Sequence, residues 1–189
     1  MMLKELVKKT RSYRRFKQDP ISRETLVELV DLARLSASAG NNQPLKYILS
    51  HDAGMNAKIF PCTRWAGRLK NWKGPACGER PVAYIVILLD KEISSAAGHD
   101  VGIAAQSIVL GAMERGIGAC MVGALDHAQL AKALNIASRY QIELVVALGL
   151  PAEKVVLEDL GADKNIAYYR DANDVHHVPK RSLADIIVR

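Results

Sequence analysis

The sequence predicts an α+β fold in which helices flank a central sheet, and three observations carry the prediction. Two continuous apolar runs rich in β-branched residues, VAYIVILLD at 82–90 and IELVVALGLP at 142–151, read as strands buried on both faces. The segment from Ser22 to about Leu35 repeats apolar residues at helical spacing, and so does the segment after Asp100. The order of elements is helices, strand, strand, helix, strand, helix, strand and tail, which suits a mixed layered sheet better than a regular βαβ alternation.

Taken in order, MMLKELVKKTRS carries Leu3, Leu6 and Val7 without the continuous apolar stretch of a secretion signal, and reads as a short amphipathic helix. The Asp19–Pro20 pair excludes helix, Ser22 is a natural N-cap, and Glu24 sits in the first turn. Leu26, Leu29, Val30 and Ala33 then mark the buried face. A strand is expected at Lys46–Ser50. The stretch 53–78 is poorly patterned: MNAKIF fits a helix, whereas PCTRW and NWKGPACGERP are loop-like and aromatic. After the 82–90 strand, Asp100 is the expected cap of a helix with Val101, Ala104, Ala105, Ile108, Val109 and Ala112 on one side. Ile103, Leu110 and Met113 make its other side apolar too, so this helix belongs in a core or a subunit interface. Gly116 ends it, Ala119–Val122 is a short strand, and Asp126 caps HAQLAKALN. Beyond Pro151 the tail is polar, with IAYYRD as an edge strand and PKRSLADIIV, from Pro179, as a last apolar-bearing segment.

At 189 residues the chain fits one domain, and 49% hydrophobic with 24% charged residues is a globular composition. The net charge of +6 favours an anionic partner (a phosphate ligand, a nucleotide or a nucleic acid), but an ordinary basic surface gives the same sum. Three cysteines, Cys62, Cys77 and Cys120, with no C-x-x-C pair, argue against a disulfide framework or a zinc site and for a reduced, cytoplasmic protein. No H-x-x-x-H or H-E-x-x-H occurs, so no metal is expected. No run reaches the roughly 18 apolar residues of a membrane span, and no membrane partner is expected. Basic residues alternate with acidic ones and only two Phe and two Trp are present, which argues against a nucleic-acid partner.

Four stretches hold residues suited to a ligand. RSYRRF offers Arg11, Ser12, Arg14 and Arg15, a donor set that a phosphate dianion wants, although the same residues also make a solvated basic turn. Lys180 and Arg181 are either a further phosphate contact or a surface pair. In SASAGNNQP, Gly40 permits a positive φ, and the Asn41, Asn42 and Gln43 amides both donate and accept, as the edge of a heteroaromatic ring requires; a helix-end turn would look similar. GIGACMVGALD flanks a short strand with Gly118 and Gly123, leaving backbone N–H groups open to a flat ligand, but it is not a dinucleotide-binding fingerprint.

Together these stretches resemble the nitroreductase family of flavin-dependent oxidoreductases. The family pattern R-S-x-R-x-F followed by a proline is matched by Arg11, Ser12, Arg14, Phe16 and Pro20. P-S-A-G-N-x-Q-P-W is matched from Ala37 to Leu45, with Ala37 in place of the proline and Leu45 in place of the aromatic residue. D-x-G-x-A-x-Q is matched by Asp100, Gly102, Ala104 and Gln106, the glycine pattern by Gly116, Gly118 and Gly123, and the strand ending G-x-P by Gly149 and Pro151. The resemblance implies a nitroreductase-like homodimer holding FMN at the subunit interface, with a C-terminal arm from about residue 161 embracing the partner. It implies that Arg11, Ser12 and Arg14 hold the FMN phosphate and ribityl chain, aided by Lys180 or Arg181. Arg15 would compensate for Thr10, which stands where many members carry a basic residue. Ser38, Asn41 and Gln43 would line the flavin from the other subunit, and the Gly123 N–H would face flavin N5. The implied activity is electron transfer from NADH or NADPH through FMN to a nitroaromatic, a quinone or a similar small acceptor. A flavin-binding redox sensor or flavin-handling protein without nicotinamide turnover is the alternative.

Overall fold

The structure, a computed structural model, describes residues 2–162 and 164–188. Helix α1 (Leu3–Lys9) opens the chain with Glu5 in its first turn and Lys8 and Lys9 in its last, the charge order that its dipole favours. Helix α2 (Arg23–Arg34) is capped as expected, the Ser22 hydroxyl accepting from the Thr25 N–H at 3.2 Å. Strand β1 (Leu45–Ser50) and helix α3 (Ala53–Ile59) follow, and the loop after α3 runs to β2 (Ala83–Asp90), every residue of which is buried. Helix α4 (Asp100–Glu114), β3 (Gly118–Val122), α5 (His127–Ala133) and β4 (Tyr140–Gly149) complete the main layer. The tail holds β5 (Val155–Asp159), β6 (Tyr169–Arg170), β7 (His176–Lys180) and α6 (Leu183–Ile186).

The four-stranded sheet has the order β1-β2-β4-β3 with all its ladders antiparallel. A single parallel bridge, Ser12 to Ala119, lays the segment after α1 along the outer edge of β3. Each face of the sheet carries its own core. Ile85, Ile87, Val146 and Leu148 pack on α2 and α4 through Leu26, Leu29, Ala105 and Ile108, whereas Tyr84, Val86, Val145 and Ala147 pack on Ile59, Cys62 and Leu130 of the opposite layer. Alternation along β2 dictates this division. Burying each of these large aliphatic side chains stabilises the fold by about 1.5–3 kcal/mol. A register shift opposite Ile87 and Leu88 leaves Glu143 as an extra residue in β4, so that Ile142 and Val145 reach the same core although they are three positions apart.

Two glycines are fixed by packing. A Cβ at Gly149 would lie 2.7 Å from the Phe16 Cβ, and one at Gly118 would lie 2.9 Å from the Pro151 Cγ and 3.0 Å from the Tyr13 ring. They let RSYRRF lie flat against the ends of β3 and β4. Gly116, at φ 75°, ends α4 in the left-handed conformation that glycine adopts most cheaply.

The tail departs from expectation. Its polar sequence folds into a second sheet of order β5-β7-β6, with β7 parallel to β5 and antiparallel to β6. IAYYRD does supply an edge strand, two residues long. Strands β5 and β7 were not anticipated because they are short and half-exposed, and β7 contains Pro179, so neither has the apolar run that marks a buried strand. Asp100 is a second correction. It is the first residue of α4 rather than its cap, and its carboxylate is used outside the helix.

Candidate functional site

RSYRRF is held in place by β3 on one side and by the tail sheet on the other. The Tyr13 N–H donates to the Ala119 carbonyl at 2.9 Å, and the wholly buried Phe16 donates its N–H to the Glu79 carbonyl at 2.9 Å. The backbone between them turns, so that the consecutive N–H groups of Arg14 and Arg15 point the same way, toward Glu153. Arg11 donates from Nη2 to the Val7 carbonyl at the end of α1, 2.7 Å away, while its Nε is buried with no hydrogen-bond partner. Burial lowers the Arg11 pKa slightly without threatening its charge. Arg14 donates from Nη1 to the Ser12 carbonyl at 3.1 Å and to the His176 Nε2 at 3.2 Å, and its guanidinium lies 4.8 Å from the centre of the Tyr168 ring.

His176 is 1% exposed. Burial, reinforced by Arg14 and Arg170, pushes its pKa down to about 4, so it is neutral and accepts from Arg14. Arg15 is committed elsewhere, to carboxylates of Asp174 and, at 3.4 Å, Glu79. Beneath all three lies Glu153, whose side chain is 1% exposed. It accepts the backbone N–H groups of Arg14 and, at 3.1 Å, Arg15, and pairs with Arg170 Nη2 at 2.7 Å. A buried carboxylate with this many donors fixes the local backbone.

Arg14 also borders a cavity of about 170 Å³ that it shares with Cys120, Met121, Gly123, Arg64 and Trp65. The loop carrying Arg64 and Trp65 is tied to the end of β3 by the Arg64 N–H to the Ala124 carbonyl at 2.9 Å, the Asp126 N–H to the Cys62 carbonyl at 2.8 Å and a Thr63–Leu125 bridge. Thus the poorly patterned stretch forms one wall of this cavity. Gly123 differs from the other glycines: its φ is not in the left-handed region, and an added Cβ would meet only the Leu144 Cδ1, at 3.8 Å. Neither backbone nor packing within the chain demands glycine there. Cys120, below it, is a buried thiol whose pKa burial raises to about 11, so it is not a nucleophile.

SASAGNNQP is the second locus. The Ser38 hydroxyl donates to the Asp100 Oδ2 at 2.5 Å and accepts from the Gln43 N–H at 2.9 Å, and the Ala39 N–H donates to the Asp100 Oδ1 at 3.0 Å. Bolted at both ends, the loop places Gly40, Asn41 and Gln43 at positive φ, of 58°, 54° and 51°. Non-glycine residues hold this conformation only where their surroundings impose it, and such strain gathers at ligand sites. Ser38, Gln43, Lys46, Tyr47 and Asp100 line a cavity of about 240 Å³, while Asn41 is exposed and does not line it.

The two loci stand apart within the chain. The Ser38 loop feeds β1 at one edge of the sheet and the Arg14–Gly123 cavity flanks β3 at the other, three strand spacings or roughly 14 Å away. Lys180 and Arg181 join neither, being exposed at the far end of β7 from His176. Sequence reasoning missed Glu153, His176, Arg64 and Trp65, and offered Tyr168 only as one of three tyrosines, with Tyr13 and Tyr169, suited to a pocket wall. Glu153 had one faint signal, a lone acid two residues beyond the G-x-P that ends a buried strand; the others had none. Among the described residues no cluster of His, Cys, Asp and Glu is arranged to hold a metal, and no helix is long and apolar enough to cross a membrane.

Comparison with known proteins places this architecture. Residues 7–150 match the sequence profile of the nitroreductase family. The chain is 25% identical over 167 residues to an iodotyrosine deiodinase of Thermotoga neapolitana, covering 79% of this chain and 89% of the relative. It is 24% identical over 174 residues to a 5,6-dimethylbenzimidazole synthase of Rhodospirillum rubrum, covering 79% and 82%. Among solved structures, a Desulfovibrio desulfuricans protein in complex with FMN aligns with a TM-score of 0.68 at 20% identity over 98% of this chain and 94% of its own. A nitroreductase family protein of Clostridium novyi aligns with a TM-score of 0.67 at 23% identity over the whole of both chains. These structural likenesses establish the fold, and the profile match over more than half the sequence establishes the kinship: the chain belongs to the nitroreductase family.

Proposed function

We propose that the protein is an FMN-dependent oxidoreductase that takes electrons from NADH or NADPH and delivers them to a nitroaromatic, a quinone or a similar small acceptor. In this reading it acts as a homodimer, each site combining the Arg14–Gly123 edge of one copy with the Ser38–Gln43 loop of the other. The observation that carries it is the convergence of Arg14 and Gly123 on one cavity, with Gly123 required by nothing in the chain's own packing.

The residues present fit FMN. The buried, unpartnered Arg11 Nε is a donor awaiting an acceptor, which a phosphate oxygen supplies. Ser12 adds a hydroxyl, and Arg14 is pre-oriented by His176 and Tyr168 for a charge-assisted contact. Arg15 already faces two carboxylates, so its part is to anchor the turn and offset their charge. The Gly123 N–H and the amides of Asn41 and Gln43 would frame the ring edges, with Ser38 setting the loop that presents them. Lys180 and Arg181 serve the partner's site, carried there by an arm whose projecting part is the exposed apolar stretch Leu183, Ile186, Ile187 and Val188. Bound FMN would supply the redox chemistry that links nicotinamide to the acceptor. The chain positions the cofactor and excludes water; no side chain need act as an obligatory acid.

The test is the absorbance of the purified protein, alone and with NADH or NADPH without oxygen. A yellow protein that bleaches is expected. A colourless one that FMN cannot load overturns the reading, and a yellow one that nicotinamide cannot bleach replaces it with flavin handling. Arg14→Ala should weaken FMN by about 1.5–3 kcal/mol, the worth of a hydrogen bond to a charged group, measured by fluorescence titration.

A further inference from the structure

A third cleft, larger than either cavity described above, belongs to neither locus. It measures about 420 Å³, within the range of small-molecule pockets, and opens between α3, the end of β1 and the start of β2. Arg80, His51, Gln18 and Cys77 border it together with the rings of Phe60 and Tyr84. Two of these groups lack partners that proteins normally provide. The Arg80 guanidinium lies 4.2 Å over the Phe60 ring and pairs with no carboxylate among the described residues. The Tyr84 hydroxyl is buried on a residue of 0% exposure and has no hydrogen-bond partner. Arg80 is near enough for its charge to act on the Tyr84 phenol, which burial keeps protonated and therefore a donor.

We propose that this cleft is a second binding site, for a small organic anion with a planar apolar body, of which a monocyclic aromatic carboxylate is the simplest form. One carboxylate oxygen takes the Arg80 guanidinium and the other the Tyr84 hydroxyl, and the ring lies on the aromatic wall beside Phe60. The anion supplies what both protein groups lack, a charge opposite to Arg80 and an acceptor for the phenol. Inorganic phosphate carries the charge but leaves the aromatic wall uncovered. The site shares no residue with the Arg14–Gly123 cavity or with the Ser38 cavity, so it stands or falls independently of flavin binding.

Cys77 gives a local readout, since it is exposed and lines the cleft whereas Cys62 and Cys120 are buried. The rate of Cys77 alkylation by iodoacetamide is followed by mass spectrometry on the protein as isolated, with millimolar benzoate, benzyl alcohol or inorganic phosphate. Benzoate should slow alkylation saturably, while benzyl alcohol and phosphate should not. Arg80→Gln should shift the protecting benzoate concentration upward by on the order of tenfold, as loss of a charge-assisted contact does. Tyr84→Phe, which removes an unsatisfied hydroxyl, should keep the melting temperature and still weaken protection several-fold. Absence of protection by benzoate, equal protection by benzyl alcohol, or protection unchanged in Arg80→Gln would each overturn the proposal.

Discussion

Single residues here separate what the fold needs from what it leaves open. Gly118 and Gly123 flank the same short strand and look alike in sequence. A side chain at 118 collides with Pro151 and Tyr13, whereas one at 123 enters ordinary contact with Leu144 alone. Gly118→Ala should therefore lower stability by about 1–3 kcal/mol in chemical denaturation, the cost of overpacking. Gly123→Ala should melt with the wild type but lose FMN affinity or slow its reduction. A Gly123→Ala protein with full flavin binding and turnover would remove that position from the site. No periodicity could have distinguished these two glycines, because the difference lies in what crosses over them. Glu153 was illegible for the same reason: its importance comes from three donors brought by segments that are distant in sequence.

At the scale of elements, long buried strands and capped helices were readable and short half-exposed strands were not. β2 and β4 announce themselves by apolar runs, and α2 by Ser22 and its stripe. Asp100 was misassigned because a carboxylate at the start of a helix can serve that helix or its neighbour, and only the folded loop decides. The tail sheet owes its cohesion to polar contacts that carry no sequence period. His177 on β7 places Nδ1 2.9 Å from Glu158 on β5 and Nε2 3.2 Å from Asp171, and stacks on Tyr169 at 4.7 Å. Hydrogen bonds to Glu158 and Asp171 raise its pKa above the ordinary 6.5. A raised histidine pKa stabilises below 6.5, and that stabilisation is lost as pH climbs through the folded value. The melting temperature of wild type should accordingly exceed that of His177→Gln in mildly acidic buffer, and the gap should close in alkaline buffer. A gap independent of pH would show that the contact is steric. The neighbouring His176 titrates the opposite way, its depressed pKa favouring the fold above 6.5, so the variant must be made at 177 alone.

For the whole molecule, the decisive fact is that two ligand-ready loci occupy opposite edges of one sheet. If each working site takes one locus from each of two copies, damage to different loci should complement. Arg14→Ala and Ser38→Ala proteins, each poor in FMN binding alone, should on co-expression regain activity in mixed dimers. Random pairing would leave about a quarter of all sites intact. No recovery in isolated mixed dimers would mean that both loci act within one chain. The overall architecture was legible from strand runs and helix caps. The resemblance implied that the Ser38 loop and the Arg14 segment serve different copies, but their places on opposite edges of one sheet were not legible, because neighbours along a sequence do not disclose which edge of a sheet each will occupy.

The clasp between Ser38 and Asp100 has a consequence for how relatives of this chain diverge. Asp100 holds both the Ser38 hydroxyl and the Ala39 N–H, and that hydroxyl in turn holds Gln43. The path of the loop is thus written by two positions at its base together with the positive φ of Gly40, Asn41 and Gln43. Among divergent members of the lineage, 38 and 100 should therefore co-vary as a unit, and a change at either should displace Asn41 and Gln43 together.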